Sequence, residues 1–374
     1  MRKCFLLGLS MFLFFGCMET SQEEILTTEN LENSGFEFDS FTLRTQGEFY
    51  RKQNRERLAS MSNLKKKACK MTVKVPSDFV TIQEAVDNVC DGGNVLVSNG
   101  VYNERIFIDK PGVKLMGIGN EVHQSGGILI LENGNDVTVQ NFKINMPPET
   151  PGVYIAHADR VTIKNNEIES SPYLRLTGLS IRNSIGSKIQ HNKIIGMLIG
   201  MSITTGESIG EGFDGVFVND FVMRDTDISN NVFSGFAVGG IAIGANMSGN
   251  SIKNNVLENS TLYRTSANGG ILVNFWPESA LYQDKFENND IKNNKLNNVQ
   301  YGLRIDDYCS GNLIMGNQFV GNNYYGVHAG SDLSLSEPNI FKNNNFYDNG
   351  VCDVYDKSDL NVYSNNKLEC TEGL

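Results

Sequence analysis

The chain alternates short apolar runs with polar corners, and the corners share one form. A hydrophobic–x–Asn–Asn–x–hydrophobic unit recurs as IKNNEI (163–168), IQHNKI (189–194), ISNNVF (228–233), IKNNVL (252–257), IKNNKL (291–296), IMGNQF (314–319), FKNNNF (341–346) and YSNNKL (363–368). VQNFKI at 139–144 fits the same frame with Phe142 in the place of the second Asn. From Asn166 to Asn366 that second Asn returns at intervals of 26, 39, 24, 39, 23, 27 and 22 residues. A second element runs in phase, a Gly followed by apolar residues one and three places on: GVYI at 152, GLSI at 178, GMSI at 200, GIAI at 240, GILV at 270, GLRI at 302 and GVHA at 326. Alternation inside such short runs predicts strands, and a period near 24 predicts a solenoid of stacked coils. No coil can bury its apolar residues alone, so like positions stack into ladders, with Val, Ile and Leu inward. The corner Asn side chains then hydrogen-bond to the Asn above and below, which makes most of the asparagine scaffold.

Composition agrees with strands. The chain has 45 Asn in 374 residues (12%), 37 Gly and 8 Pro, a balance poor for long helices. A hydrophobic fraction of 40% is too high for a disordered chain, and the length is ample for a buried core. The net charge of −11 argues against nucleic acid as a partner. It also weakens a highly anionic substrate, although a local basic patch can still serve one.

Arg2, Lys3, the apolar stretch Phe5–Phe15 and then Gly16-Cys17 have the form of a secretory signal, too short to span a bilayer. The Cys after a small residue resembles a bacterial lipobox, with Phe14 and Phe15 bulkier than its usual pattern. The expectation is a signal peptide over 1–16 and lipidation at Cys17, giving a periplasmic, cell-surface or outer-membrane lipoprotein held by an N-terminal lipid anchor. A plain cleaved signal is the alternative. Glu19, Glu23 and Glu24 resemble the export signal of surface lipoproteins in Bacteroidetes. Residues 17–70 read as a polar tether, with one helix expected within 47–67 and its basic run taken as a solvated face. Five cysteines remain for the body, and proximity pairs Cys69 with Cys90 and Cys352 with Cys370, leaving Cys309. No Cys-x-x-Cys or Cys/His cluster points to zinc.

The repeats resemble the right-handed parallel β-helix proteins of the pectate lyase-like superfamily, with PbH1-type repeats shared by polysaccharide lyases, some glycosidases and NosD-like periplasmic proteins. The segment VPSDFVTIQEAVDNVCDGGNVLVSNGVYNERIFIDKPGVKLMGIG (75–119) is similar to their N-terminal cap. Thr81 with Glu84 three places on has capping-box spacing for its helix. The resemblance implies an all-β, right-handed parallel β-helix over 71–370 with an N-terminal capping helix, which shields the open strand edges of the first coil. It is specific for fold and silent on which chemistry the fold carries.

Inward positions of such a solenoid are filled, so chemistry must use outward residues and inserted loops. On the Gly-led strands most of the outward face, on which Arg182 and Asn274 also fall, is small and neutral until Arg304, Asp306, Asp307 and His328 gather on the last two. Stacked strands lie about 4.8 Å apart, which makes Arg304 and His328 neighbours, with Asp306 roughly 7 Å along the strand. The two 39-residue intervals are insertions. The first, 205–225, carries Glu207, Glu211, Asp214, Asp220 and Arg224; the second, 275–289, carries Phe275, Trp276, Tyr282, Asp284 and Lys285. They are expected as walls about 10 Å apart over a floor of Ala242, Gly244 and Ala245. GVFV at 215 competes with GMSI at 200 for the coil strand.

The predicted substrate is a polysaccharide or oligosaccharide, with Arg182, Asp220, Asn274, Phe275, Trp276 and Tyr282 as substrate contacts. In a hydrolase, Asp306 or Asp307 would work with Asp220 or Asp284 across the bond. In a lyase, Arg304 would neutralise a uronate and His328 would be the base, neutral because a nearby cation lowers its pKa. A non-catalytic glycan- or partner-binding lipoprotein is the competing reading. IDDYC, GVHAG and GLRID are similar to polygalacturonase motifs, but Asp306-Asp307 follow their strand and Asp306 stands where those enzymes have Lys, so that mechanism is not carried over. No cofactor is firmly implied. Calcium has candidate ligands in Asp214, Asp220, Asp225 and Asp227, without a recognisable coordinating motif.

Overall fold

Each repeat contributes three short strands, and in the computed structural model the three kinds of strand stack into three parallel sheets about one right-handed axis. The structure describes residues 40–61, 68–146, 150–170, 175–209, 216–218, 220–260, 268–274, 284–306, 308–330, 337–358 and 360–372. Sheet I has 12 strands, from Lys70–Val75 to Val362–Ser364. Sheet II has 10, from Gly100–Asn103 to Asn345–Tyr347, and sheet III has 11, from Ile106–Ile108 to Thr371–Glu372. Register holds like residues together: Val139, Ile163 and Ile189 are partners in sheet I, and Leu179, Met201 and Ile241 follow one another in sheet III, all with no exposed surface.

The Asn-Asn corner divides two tasks between its residues. The first Asn turns the chain: Asn165, Asn230, Asn254, Asn293, Asn343 and Asn365 have φ between 54° and 58°, the left-handed region that Asn tolerates. His191 and Gly316 take the same place in their coils with φ of 56° and 68°. The second Asn points inward and forms the rung. Asn192 donates its backbone N–H (2.9 Å) and Nδ2 (3.0 Å) to Oδ1 of Asn231, and its Nδ2 also donates to the Ile163 carbonyl at 2.9 Å. The ladder starts at the Phe142 N–H on Asn166 Oδ1 and runs through Asn192, Asn231, Asn255, Asn294, Asn317 and Asn344 to Asn366. A second ladder, Asn250–Asn289–Asn312–Asn339–Asn361, repeats the bonding at another corner.

The cap helix, Ile82–Asn88, follows the sequence reading: Thr81 Oγ1 accepts the Glu84 N–H at 3.1 Å, and Ile82, Ala85 and Val86 are buried. Glu104 adds what the spacing did not show, its carboxylate accepting the N–H groups of Ile82 and Gln83 at 2.8 Å each. Disulfides join Cys69 to Cys90 and Cys352 to Cys370, and Cys309 is a buried thiol.

The segment expected as a tether holds a 22-residue helix, Ser40–Met61, that is packed on the body. Tyr50 is 1% exposed and meets Tyr154 edge-on at 5.0 Å, beside Phe107, Leu129, Leu131 and Ala156. Asn54 donates to Asp109 at 3.0 Å, and Arg57 Nη1 to both oxygens of Asp87 at 2.9 and 2.8 Å. The basic run expected as a solvated face is not wholly so: Arg57 is half-buried and paired with Asp87, 30 residues further along the chain. Cys17 lies outside the described residues.

Candidate functional site

The outer face of sheet III changes character along the axis. At the N-terminal coils it is apolar and covered by the Ser40–Met61 helix. In the middle coils Ser180, Ser202, Ala242 and Leu272 point outward yet are no more than 2% exposed, and the two serine hydroxyls hydrogen-bond at 3.1 Å. The expected groove floor is therefore not an open surface: Ala242 and Ala245 are 2% and 0% exposed.

Two of the expected sugar contacts are structural. Arg182 is buried and donates from Nε (3.0 Å) and Nη2 (2.6 Å) to the Gly206 carbonyl, at the root of the first insertion. Asn274, buried at φ 53°, donates to the Asp284 carbonyl at 2.6 Å, where the second insertion rejoins the coil. Arg182 meets the Gly206 carbonyl and Asn274 the Asp284 carbonyl, contacts that strand parity does not encode. The first insertion opens as a hairpin of Glu207–Ile209 against Val216–Val218, so GMSI, within Met197–Thr204, is the coil strand. Asp220 is exposed and Asp284 buried. Asp214, Phe275, Trp276, Tyr282 and Asp307 lie outside the described residues. Asp227 is already bonded to Gln190 (2.8 Å) and Lys253 (3.0 Å). Among the described residues no group of three or more His, Cys, Asp or Glu side chains is placed to hold a metal.

The third zone opens at Arg304. Arg304 and His328 are register partners, and Tyr355 follows His328 on the next strand. Arg304 Nε bonds to Asp306 Oδ2 at 2.9 Å and Oδ1 at 3.2 Å. His328 stacks on Tyr355 at 4.9 Å and lies 5.5 Å from Tyr301 and 5.9 Å from Tyr325. Its Nδ1 is buried without a hydrogen-bond partner among the described residues; Asp306 Oδ1, at 4.0 Å, is beyond hydrogen-bond reach. Burial first, and then the charges of Arg304 and Lys357, push the His328 pKa down to about 4, so the ring is neutral at pH 7. Burial and a hydrogen bond to Glu372 push Tyr325 up to about 12, its hydroxyl donating to Glu372 Oε2 at 3.1 Å.

Sequence reasoning missed the aromatic rim. Tyr301 and Tyr325 immediately precede the Gly of YGLRI and YGVHA, an outward position that a Gly-led count passes over. Tyr355 belongs to a strand in which Asp353 stands in the Gly place, so the same pattern ends one coil early. The signal was present as one tyrosine column before the glycines. The zone thus joins a neutral imidazole, a guanidinium and several phenol rings, the groups that abstract a proton, meet an anion and stack on sugar rings.

A family model described as right handed beta helix region matches residues 106–276 and 211–369. No curated protein sequence matches the chain. Among solved structures, an alginate lyase from Paenibacillus sp. str. FPU-7 is similar in fold, with a TM-score of 0.53 and 16% identity over 76% of this chain and 97% of that one. ORF18 of Geobacillus virus E2 gives 0.50 and 15% over 79% of this chain and 60% of the viral protein. The periplasmic alginate epimerase AlgG gives 0.45 and 12%, over 80% and 85%. At these identities the likeness is one of fold.

Proposed function

The chain belongs to the right-handed β-helix family, and from that premise we propose that it is a carbohydrate-active protein that cleaves a uronic-acid polysaccharide by β-elimination. The observation that carries this reading is the neutral His328, held one coil from Arg304 within a tyrosine rim. Arg304 meets the uronate carboxylate and stabilises the charge that develops there. His328 takes the proton on the carbon next to that carboxylate. A double bond forms as the bond from the neighbouring carbon to the glycosidic oxygen breaks, and that oxygen is protonated by water or a rim phenol. Asp306 positions the guanidinium, and Asp307 remains a proposed second carboxylate. The carboxylates support a lyase over a hydrolase: Asp306 is held by Arg304, Asp284 is buried, and Asp356 is fully buried and accepts from Ser358, Asn361 and Tyr363. Trp276 remains a proposed sugar platform. Two disulfides favour an oxidising compartment, in keeping with a lipid anchor at Cys17; fatty-acid labelling of the wild type but not of Cys17→Ser tests the anchor.

The alginate lyase among the fold neighbours sets polyuronates as the first substrates to try. Unsaturated ends, read by ultraviolet absorbance, are expected on a polyuronate and should vanish in His328→Ala and Arg304→Ala. Reducing ends without unsaturation would instead mean hydrolysis. The Arg304–Asp306 pair favours one second reading, non-catalytic glycan binding, because the guanidinium already has a counter-charge. Binding with no product of either kind supports it.

A further inference from the structure

Arg304 is not the cation most open to an anionic sugar, since Asp306 holds its Nε and the guanidinium stands 5.7 Å over the Tyr301 ring. One coil beyond His328, on the opposite side, lies Lys357. Its backbone N–H bonds to the Ala329 carbonyl at 3.1 Å, which fixes its place beside the His328 strand. Its Nζ stands 5.7 Å over Tyr355, the ring on which His328 stacks. The side chain is exposed and takes part in no ion pair among the described residues, and the neighbouring Asp356 is buried in its own hydrogen bonds. Arg304 and Lys357 thus bracket His328 from strands two coil spacings apart, about 10 Å.

We infer that Lys357 is a specificity-determining residue of this site, selecting chains long enough to carry a second anionic group about 10 Å beyond the one at Arg304, with the polysaccharide lying along the solenoid axis. This rests on the proposed site and names what the tyrosine rim cannot choose. Aromatic platforms accept neutral and acidic sugars alike, whereas two cations at that separation favour a linear chain with repeated carboxylates. The groups that face His328 are Arg304, Asp306 and Tyr301 on the preceding coil, Tyr325 on its own strand, and Tyr355, Asp356 and Lys357 on the next. Of these, Lys357 is the exposed cation.

The test uses the full chain and its Lys357→Gln and Lys357→Arg variants, titrated by calorimetry with a diuronide, a tetrauronide and a neutral tetrasaccharide. Lys357→Gln is expected to weaken the tetrauronide about five- to tenfold, to leave the diuronide and neutral sugar unchanged, and to be rescued by Lys357→Arg. In the ligand-free protein, Lys357→Gln should raise the His328 pKa in an NMR titration, a readout that needs no substrate. Unchanged tetrauronide affinity, or equal loss for the neutral sugar, overturns the inference. Loss of elimination with Lys357-dependent binding intact sinks the lyase reading and leaves this one standing.

Discussion

Tyr154 and His328 occupy the same outward place in sheet III, on strands near opposite ends of the solenoid. Tyr154 has no exposed surface and is closed over by Tyr50, whereas the His328 side chain is 19% exposed and ringed by tyrosines. The inner columns are alike at both ends, because each coil must fill the same interior. The outer column is under no such constraint. Where a helix covers it the column becomes a second small core; where nothing described covers it, charge and aromatic surface collect.

Removing the cover should have the largest effect. Tyr50→Ala is expected to lower stability by about 3 kcal/mol in denaturant unfolding and to expose the Ser40–Met61 helix to protease. An unchanged midpoint would mean that the helix is no part of the folded unit. At the open end the effect moves from folding to chemistry. His328→Ala should reduce elimination by about 100-fold or more while shifting stability by less than about 1 kcal/mol. Smaller again is the contrast between two arginines. Arg57→Ala breaks a half-buried pair in which Nη1 meets both Asp87 oxygens and should lower stability by about 1 kcal/mol, and Arg304→Ala should fall below that while abolishing product.

The last test is pH. His328 holds its proton less well in the folded chain than its ordinary value of 6.5 allows, so the unfolded chain takes up a proton first as the solution is acidified. Its contribution is complete above about 6.5 and is lost as pH falls toward about 4. His328→Asn should flatten unfolding midpoints across that window; an unchanged slope would place the titration elsewhere.

Much of the scaffold was legible because it is local and repeated. Asn165-Asn166 and its equivalents show the turn and the rung side by side, and Thr81 with Glu84 shows the cap. The second ladder was missed because its rungs, Asn250, Asn289, Asn312, Asn339 and Asn361, share no single motif, ending SGN twice and otherwise ENN, EPN and DLN. Docking of Tyr50 on Tyr154 joins segments far apart in the chain, and nothing near either residue announces the other. In the candidate site, strand parity brought Arg304, Asp306 and His328 to one face. It failed at Arg182 and Asn274, which meet the Gly206 and Asp284 carbonyls, and it passed over tyrosines placed one residue before the counted glycine.

The Asn ladder has a direction, every rung donating to the next toward the C-terminus, and it crosses both insertions with its 2.9 Å bonds unchanged. Each rung therefore asks the same thing of its neighbour whatever loop lies between them. Coils become interchangeable parts: one can be duplicated or excised whole and the ladder closes again. Copy number can change by duplication within the gene without redesign of the interior, and a reactive surface gained on one coil can be carried to another position along the axis.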